Sequence, residues 1–233
     1  MSGEWVEWHQ GYEGNTNQAG RLAVVQARVR EALDRAPPGL IRLVSLCAGD
    51  ARDVQGVLKD HSRRRDVRAR LVELDSDLAA SARKGFSLLG LEGIQVVQGD
   101  ASVARTLEGA VPSDIVLLSG VFGNISDEDV KNTIHHLPEL CSAGATVVWT
   151  RGRWAPDLTP DIRRWFRDAE FEELSFDSIP GTTASVGTNR FAGPPRRFHP
   201  GTKLFTFLPK DQRPSTLGRA ADATAAGVVK PGP

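Results

Sequence analysis

The sequence predicts an α/β protein with three layers: helices cover both faces of a sheet of about seven strands, which is mostly parallel and antiparallel at its C-terminal end. Between residues 41 and 169, short apolar runs alternate with amphipathic segments, which is typical of parallel strands joined by crossover helices. Residues 171–208 contain three extended segments with no helix between them, which indicates the antiparallel end.

The individual elements follow from local patterns. Strands are predicted at the apolar runs 41–47, 70–74, 94–98, 115–118 and 146–149. A helix with inward-facing Leu22, Val25 and Val29 precedes the first strand, and a helical pattern follows each of the five strands. Ser126 is a typical N-cap, and Thr159 is predicted to cap a helix with proline at its first position. Either 184–191 or 203–208 is the reversed strand of the antiparallel end.

Composition restricts the classes of function. The chain has 233 residues, enough for one α/β domain, with 29 basic and 29 acidic side chains. This neutral balance argues against nucleic acid, whose binders carry a basic footprint. Two cysteines outside any CxxC spacing fit a reducing compartment, so we expect a cytoplasmic protein. No apolar run has the length of a membrane span, and the N-terminus lacks the pattern of a signal peptide.

Three segments are expected. Residues 1–38 form an aromatic lead-in that acts as a lid, followed by a helix; residues 39–209 form the main domain; residues 210–233 form a flexible tail rich in Ala, Gly and Pro. The oligomeric state stays open between monomer and homodimer. We find no spaced Asp, His and Cys residues that would predict a metal site.

Ligands of an open parallel sheet bind beyond the carboxyl ends of its strands. Helices that follow the strands start at that edge and run away from it, so His135 and His136 are expected near the opposite edge. The basic run 61–65 also ends its helix. We interpret it as a solvated face that complements the helix dipole, with a nucleic-acid patch as the alternative.

The turns after the first two strands have the chemistry of a nucleotide site. The first turn consists of small residues, Cys47, Ala48, Gly49 and Ala51, which allow backbone N–H groups to approach a ligand, although small residues also ease packing of a helix on a strand. Glu73 ends the second strand and is placed to accept hydrogen bonds from two ribose hydroxyls. Its alternative role, an N-cap, fits Asp75 or Ser76 better.

The next two turns complete the candidate site. Asp100, in the third turn, either accepts from an adenine amino group or caps the short helix near Val103. The fourth turn is an open loop from Ser119 to Asn124, with Phe122 between two glycines, where a reacting group would lie.

Taken in order, these turns resemble the motifs of class I S-adenosylmethionine (SAM)-dependent methyltransferases. VSLCAGDARDV resembles the glycine-rich first motif, VELDSDLAASARK the second, VVQGDAS the third and DIVLLSGVFGNI the fourth. The resemblance covers residues 40–150 through these motifs and 150–209 by pattern. Cys47 and Ala51 depart from it, because the family has glycines there.

The resemblance implies a Rossmann-like fold, SAM as cofactor, and methyl transfer to an O, N or C atom of a small molecule. By motif position, the cofactor-binding residues are Cys47, Ala48, Gly49, Ala51, Glu73, Leu74, Asp100, Ala101, Ser119 and Gly120. The family's sheet ends with a reversed strand after the fifth helix, in agreement with the change of pattern past Glu170.

Acceptor contacts are expected from the sheet edge and the lead-in. The substrate-binding candidates are Trp8, Tyr12, Phe122, Asn124, Arg151 and Trp154. An amine acceptor must be neutral, and a hydroxyl acceptor can use a general base. His9 is our candidate catalytic base because the lead-in can cover the cofactor, and Asp127 and His199 are alternatives.

Two other classes compete with this hypothesis. One is another Rossmann-type enzyme, either a nicotinamide oxidoreductase, which the missing GxGxxG pattern disfavours, or an aminopropyl transferase. The second is a SAM-binding module without catalytic activity, which the departures at Cys47 and Ala51 keep open.

Overall fold

The computed structural model describes residues 16–214. Five α-helices and seven strands follow one another along this part of the chain: α1 Thr16–Arg35, β1 Ile41–Leu46, α2 Arg52–Leu58, β2 Val67–Glu73, α3 Ser76–Leu88, β3 Ile94–Gln98, β4 Ser113–Leu118, α4 Asp127–His136, β5 Cys141–Gly152, α5 Thr159–Asp168, β6 Phe171–Ser178 and β7 Ala184–Phe191. Short 3-10 turns lie at Ala104–Leu107, Leu137–Glu139 and Lys210–Gln212. The predicted α/β alternation is confirmed.

The seven strands form one sheet in the order β3-β2-β1-β4-β5-β7-β6. The pairs among β1 to β5 are parallel, whereas β7 runs antiparallel between β5 and β6. The reversed strand is therefore Ala184–Phe191. Residues 203–208 add only isolated bridges, from Lys203 to Val103 and from Phe207 to Ile125. The chain order reverses between β1 and β4, so the sheet has its switch point there.

Apolar residues on the two sheet faces form two buried clusters. One contains α4, α5 and the aromatic side chains around Trp149, and the other contains α1, α2 and α3. Helix α1 packs against α2, β5 and β7, with Val25, Val29 and Leu33 almost fully buried. The helix preceding the first strand is therefore part of the same core as the sheet.

Several local predictions are refined. Ser126 Oγ accepts from the Asp129 amide at 3.0 Å, and Asp75 accepts from the amides of Asp77 and Leu78, which confirms both caps. Thr159 is not the N-cap of α5. Instead, Asp157 Oδ1 accepts from its amide and hydroxyl at 2.9 and 2.8 Å. Thr159 is itself the first helical residue, and Leu158 before it has no side-chain acceptor.

The basic run 61–65 has a structural role that the sequence did not reveal. The Arg63 guanidinium donates to the carbonyls of Ala36, Pro37 and Gly39, where α1 ends. Arg64 donates to Leu89 O, where α3 ends. These carbonyls lie just past the two helix ends, so the arginines satisfy backbone acceptors that would otherwise depend on water.

Residues 16–214 show neither a membrane-spanning helix nor a cluster of metal ligands. No helix there is long and apolar enough to cross a bilayer. The same residues contain no group of three or more His, Cys, Asp or Glu side chains suited to a metal ion.

Candidate functional site

The four predicted turns meet in one cleft at the carboxyl edge of the sheet, beside the switch point. Its open volume is about 900 Å³, including the part that faces solvent, which is within the range of small-molecule sites. From the turns it is lined by Cys47, Ala48, Gly49, Asp50, Glu73, Leu74, Asp100, Ala101, Ser119 and Gly120. Of the predicted cofactor-binding residues, only Ala51 is not among the lining residues.

The first turn has an unusual backbone. Cys47, Gly49 and Ala51 adopt φ values of 58°, 60° and 58°, a left-handed conformation that costs non-glycine residues about 1–2 kcal/mol. Ala51 is fully buried at the start of α2, and its amide donates to Ala48 O at 2.9 Å. The turn therefore keeps a glycine-like path although two of the three positions carry a Cβ.

Glu73 connects the first and second turns. One carboxylate oxygen accepts from the Gly49 amide at 2.7 Å and the other from the Asp75 amide at 2.8 Å. Each oxygen retains capacity for a further hydrogen bond. The side chain is buried, and the loss of solvation raises the pKa of Glu73, which the two backbone amides oppose. Glu73 therefore lines the cleft and does not point into the core.

The third turn and Leu74 form the adjoining wall. Asp100 Oδ1 accepts from the Ser102 amide at 2.9 Å, and Asp100 O accepts from the Val103 amide, so a local turn role is present at this residue. Leu74 is 65% exposed although it follows a buried strand. With Leu78 it offers an apolar surface to a ligand in the cleft.

The fourth turn is anchored by the neighbouring strand. Gly120, at φ 77°, donates its amide to Thr150 Oγ1 at 2.8 Å. The Phe122 side chain is fully buried, 5.8 Å from Trp149 between ring centroids. This corrects our expectation of a substrate contact by Phe122, because the ring points into the core and its apolar burial outweighs exposure at the edge.

Comparison with protein-family models and with curated proteins finds no match for the chain, whereas solved structures match well. The CurJ carbon methyltransferase structure is 14% identical, with a TM-score of 0.65 over 82% of this chain and 59% of that one. Magnesium protoporphyrin IX methyltransferase from Synechocystis PCC 6803 is 14% identical, with a TM-score of 0.62 over 79% of this chain and 89% of that one. The chain has the class I methyltransferase fold.

The same fold also occurs in a protein whose name describes a different reaction. The (4+2)-cyclase SpnF matches with a TM-score of 0.54 and 14% identity over 71% of this chain and 81% of that one. The chain spans less than two thirds of the CurJ structure. The methyltransferase fold is therefore shared with enzymes of more than one kind, and the chemistry must be argued from the site.

Part of the cleft of this methyltransferase fold was missed from the sequence. The additional lining residues are Arg21, Leu22, Arg52, Asp53, Leu78 and Phe207. Leu22 and Leu78 were interpreted only as apolar faces of helices, since periodicity does not distinguish a core contact from a cleft contact. Phe207 arrives through a long-range bridge to Ile125 that no local pattern indicates.

Two groups at the first turn have displaced pKa values. Burial raises the pKa of Asp53 to about 6, and Asp50 adds to this shift. Burial also raises the pKa of the Cys47 thiol well above its usual value, with further contributions from Glu73 and Asp100. The thiol is therefore protonated at neutral pH, which is unlike the electropositive sites of reactive cysteines.

The residues at the sheet edge that we predicted to contact the methyl acceptor lie next to the cleft. Arg151 is buried at the end of β5; its guanidinium donates to Phe122 O and lies 3.5 Å from Asp127 Oδ1. It is 5.8 Å from the ring of Trp154. Asn124 donates to Gly120 O at 2.6 Å, which stabilises the fourth turn. Neither Arg151 nor Trp154 lines the cofactor cleft itself.

The base candidates differ in how they are placed. Trp8, His9 and Tyr12 lie outside the described residues, so their roles stay predictions. His199 hydrogen-bonds Glu139 at 2.9 Å, beyond the C-terminal end of α4. This position at the opposite end of α4 argues against its role as a base. Asp127 begins α4 and faces the Arg151 guanidinium, so it is on the correct edge.

Proposed function

We propose that the protein is a SAM-dependent methyltransferase acting on a small molecule. The observation that supports this most is the cleft at the switch point, where a buried Glu73 carboxylate bonds to the amides of two converging turns and can still accept from a ligand. The methyltransferase from Synechocystis with the same fold was solved with bound SAM.

The cleft residues fit the parts of this cofactor. Glu73 would accept from the ribose hydroxyls, because an ionised carboxylate is acceptor-only and can serve two donors. Leu74 and Ala101 would flank the adenine, with Asp100 near its amino group. The left-handed first turn and Gly120 would border the methionine part, where small residues permit close approach of the backbone.

Bound SAM supplies an electrophilic methyl group that is already activated. The protein's contribution is then alignment of the acceptor and exclusion of water, which together supply about 7–11 kcal/mol in well-oriented reactions. Glu73 and the first turn would fix the cofactor, and the β5 end would position the acceptor. The proposed acceptor atom is an O, N or C atom of the small molecule, and His9 is the proposed base where one is needed.

A second candidate is an enzyme or binding module that uses the same cleft without methyl transfer. The match to the (4+2)-cyclase SpnF favours it, because this fold serves a named activity of another kind. A nicotinamide oxidoreductase or an aminopropyl transferase also remains in this class. Binding of SAM without formation of S-adenosylhomocysteine would support a binding module.

Calorimetric titration with SAM, S-adenosylhomocysteine and NAD tests the proposal, followed by turnover with a metabolite panel. We expect both adenosyl compounds to bind and NAD not to bind. Glu73→Gln should weaken SAM binding at least tenfold, because a hydrogen bond to a charged group contributes about 1.5–3 kcal/mol.

The matched control is Glu172→Gln, whose carboxylate is exposed on β6 and paired with Arg190. It should bind SAM as the wild type does. Thermal unfolding of both variants separates lost affinity from lost structure, since Glu73 also holds two turns. Tight NAD binding without SAM binding, or unchanged SAM affinity in folded Glu73→Gln, would contradict the proposal.

A further inference from the structure

The end of β5 carries three buried hydrogen-bond donors that have no acceptor within residues 16–214. They are Arg151 Nε, Arg153 Nε and Trp154 Nε1. Leaving a buried donor without a partner costs about 1–3 kcal/mol, and more when the group is charged. Three such donors within four residues, at the edge where parallel sheets bind ligands, require a physical reason.

Arg151 is the most deeply placed of the three. The residue is 6% exposed, and its guanidinium donates to the Phe122 carbonyl. Two acids face it: Asp127, whose side chain is 56% exposed and whose Oδ1 lies 3.5 Å away, and Asp157, which acts at longer range. A long contact to an exposed carboxylate is screened by water, so this buried cation is only partly compensated.

Trp154 is held in position by a glycine. A Cβ built on Gly152 would lie 2.2 Å from Trp154 Cζ2, so only glycine allows the indole to lie against the strand. The Arg151 guanidinium carbon is 5.8 Å from the ring centroid, within the range of a cation–π contact. The indole and the guanidinium therefore form one preorganised unit at the strand end.

This unit is next to the cofactor cleft. Thr150, the preceding residue of β5, accepts from the amide of Gly120, which lines the cleft. Phe122, whose carbonyl contacts Arg151, lies in the same turn. A molecule bound on Arg151 and Trp154 would thus be adjacent to a ligand in the cleft.

We propose that Arg151, Arg153 and Trp154 recognise a carboxylate on the acceptor molecule. This inference rests on the proposed methyltransferase function and specifies its substrate class. A carboxylate has only acceptors, is planar, and matches the fork of a guanidinium. It would satisfy the unpartnered donors and compensate the buried charge, whereas a neutral amide of the same shape would leave the charge uncompensated.

Calorimetric titration with three carboxylate and amide pairs tests the assignment. The probes are acetate and acetamide, benzoate and benzamide, and indole-3-acetate and indole-3-acetamide, each with and without S-adenosylhomocysteine. We expect at least one carboxylate to bind about tenfold or more tightly than its amide, as one charge-assisted hydrogen bond provides.

Two variants locate the effect. In Arg151→Met the preference should fall below about threefold, a loss of most of the charge-assisted bond. Trp154→Phe keeps a ring against Gly152 but removes the N–H. It should therefore weaken binding of the carboxylate and leave binding of the matching amide unchanged. Arg190→Gln, which alters an exposed ion pair with Glu172, is the control and should keep the full preference.

The possible outcomes are distinct. If no carboxylate binds more tightly than its amide, or if the preference survives in Arg151→Met, the inference is wrong. If Arg151→Met fails to fold, Trp154→Phe serves instead, and an undiminished carboxylate preference in that variant contradicts the inference. Because the titrations are also run without S-adenosylhomocysteine, a carboxylate preference in a protein that does not bind SAM would refute the proposed function and leave this site standing.

Discussion

At the scale of single residues, the most informative group in the cleft is the carboxyl of Asp53, whose pKa differs from that of a solvated aspartate. Asp53 is buried, and its carboxylate accepts from the Val54 amide at 2.8 Å. Its pKa near 6 means that the folded protein holds a proton where the unfolded chain, with a pKa near 4, has released it. A carboxyl group with a displaced pKa that lines a cleft is a candidate for ligand binding.

Asp53 should make stability depend on pH. The folded state binds more protons than the unfolded state between pH 4 and 6, so stability falls as pH rises through this window. The upper limit is ~3 kcal/mol, from the difference between about 6 and 3.8. We expect Asp53→Asn to remove this slope and to stabilise the protein at pH 7, measured by urea unfolding at several pH values.

Asp168→Asn, at an exposed position of α5, is the control and should retain the slope. A slope that is unchanged in Asp53→Asn would show that other groups produce it.

Ala51 tests the left-handed first turn. Ala51→Gly relieves about 1–2 kcal/mol of backbone strain. It also removes a buried methyl worth about 0.8 kcal/mol, and the more flexible unfolded chain lowers stability by a similar amount. We therefore expect almost no change in the free energy of unfolding. Ala51→Val should cost more than 2 kcal/mol, by roughly the strain of a branched residue at positive φ. Equal stability of the two variants would contradict the assigned backbone.

At the scale of elements, the antiparallel end of the sheet is built around Trp149. Its indole stacks on Phe166 of α5 at 5.6 Å between ring centroids and donates to Asn189 Oδ1 of β7 at 2.8 Å. Gly187 of β7 faces it, and a Cβ there would lie 2.1 Å from Trp149 Cε2. One aromatic residue thus fixes how β7 inserts between β5 and β6.

Gly187→Ala should therefore destabilise the protein by about 1–3 kcal/mol, since an added carbon in a packed core forces displacement of its neighbours. Thermal unfolding measures this. Gly201→Ala is the matched control, because nothing lies within 4 Å of a Cβ at that glycine. If the two variants have the same melting temperature, the packing of Trp149 against Gly187 is misassigned.

The parallel part of the sheet could be predicted because each strand is an apolar run next to a helical pattern. The insertion of β7 could not, since it depends on the contact between Trp149 and Gly187, which are 38 positions apart in the chain. Arg63 and Arg64 illustrate the same limit: their pattern indicates a charged surface, but their partners are carbonyls of two distant helix ends.

At the scale of the whole molecule, the fold brings four turns to one cleft because parallel strands end at one edge and the strand order reverses between β1 and β4. This convergence could be predicted from topology. The walls contributed by Arg21 of α1 and by Phe207 could not, because they depend on how the chain segments before and after the sheet pack across its edge. The acceptor site that we propose lies at the same edge, at the end of β5, one strand further along the sheet from β4.

The central claim is that these turns hold one adenosyl group. A crystal structure with S-adenosylhomocysteine tests it most directly. We predict ribose hydroxyls within hydrogen-bond distance of the Glu73 carboxylate, adenine between Leu74 and Ala101, and sulfur beside Gly120. A ligand bound elsewhere, or a ribose that does not touch Glu73, would contradict the account.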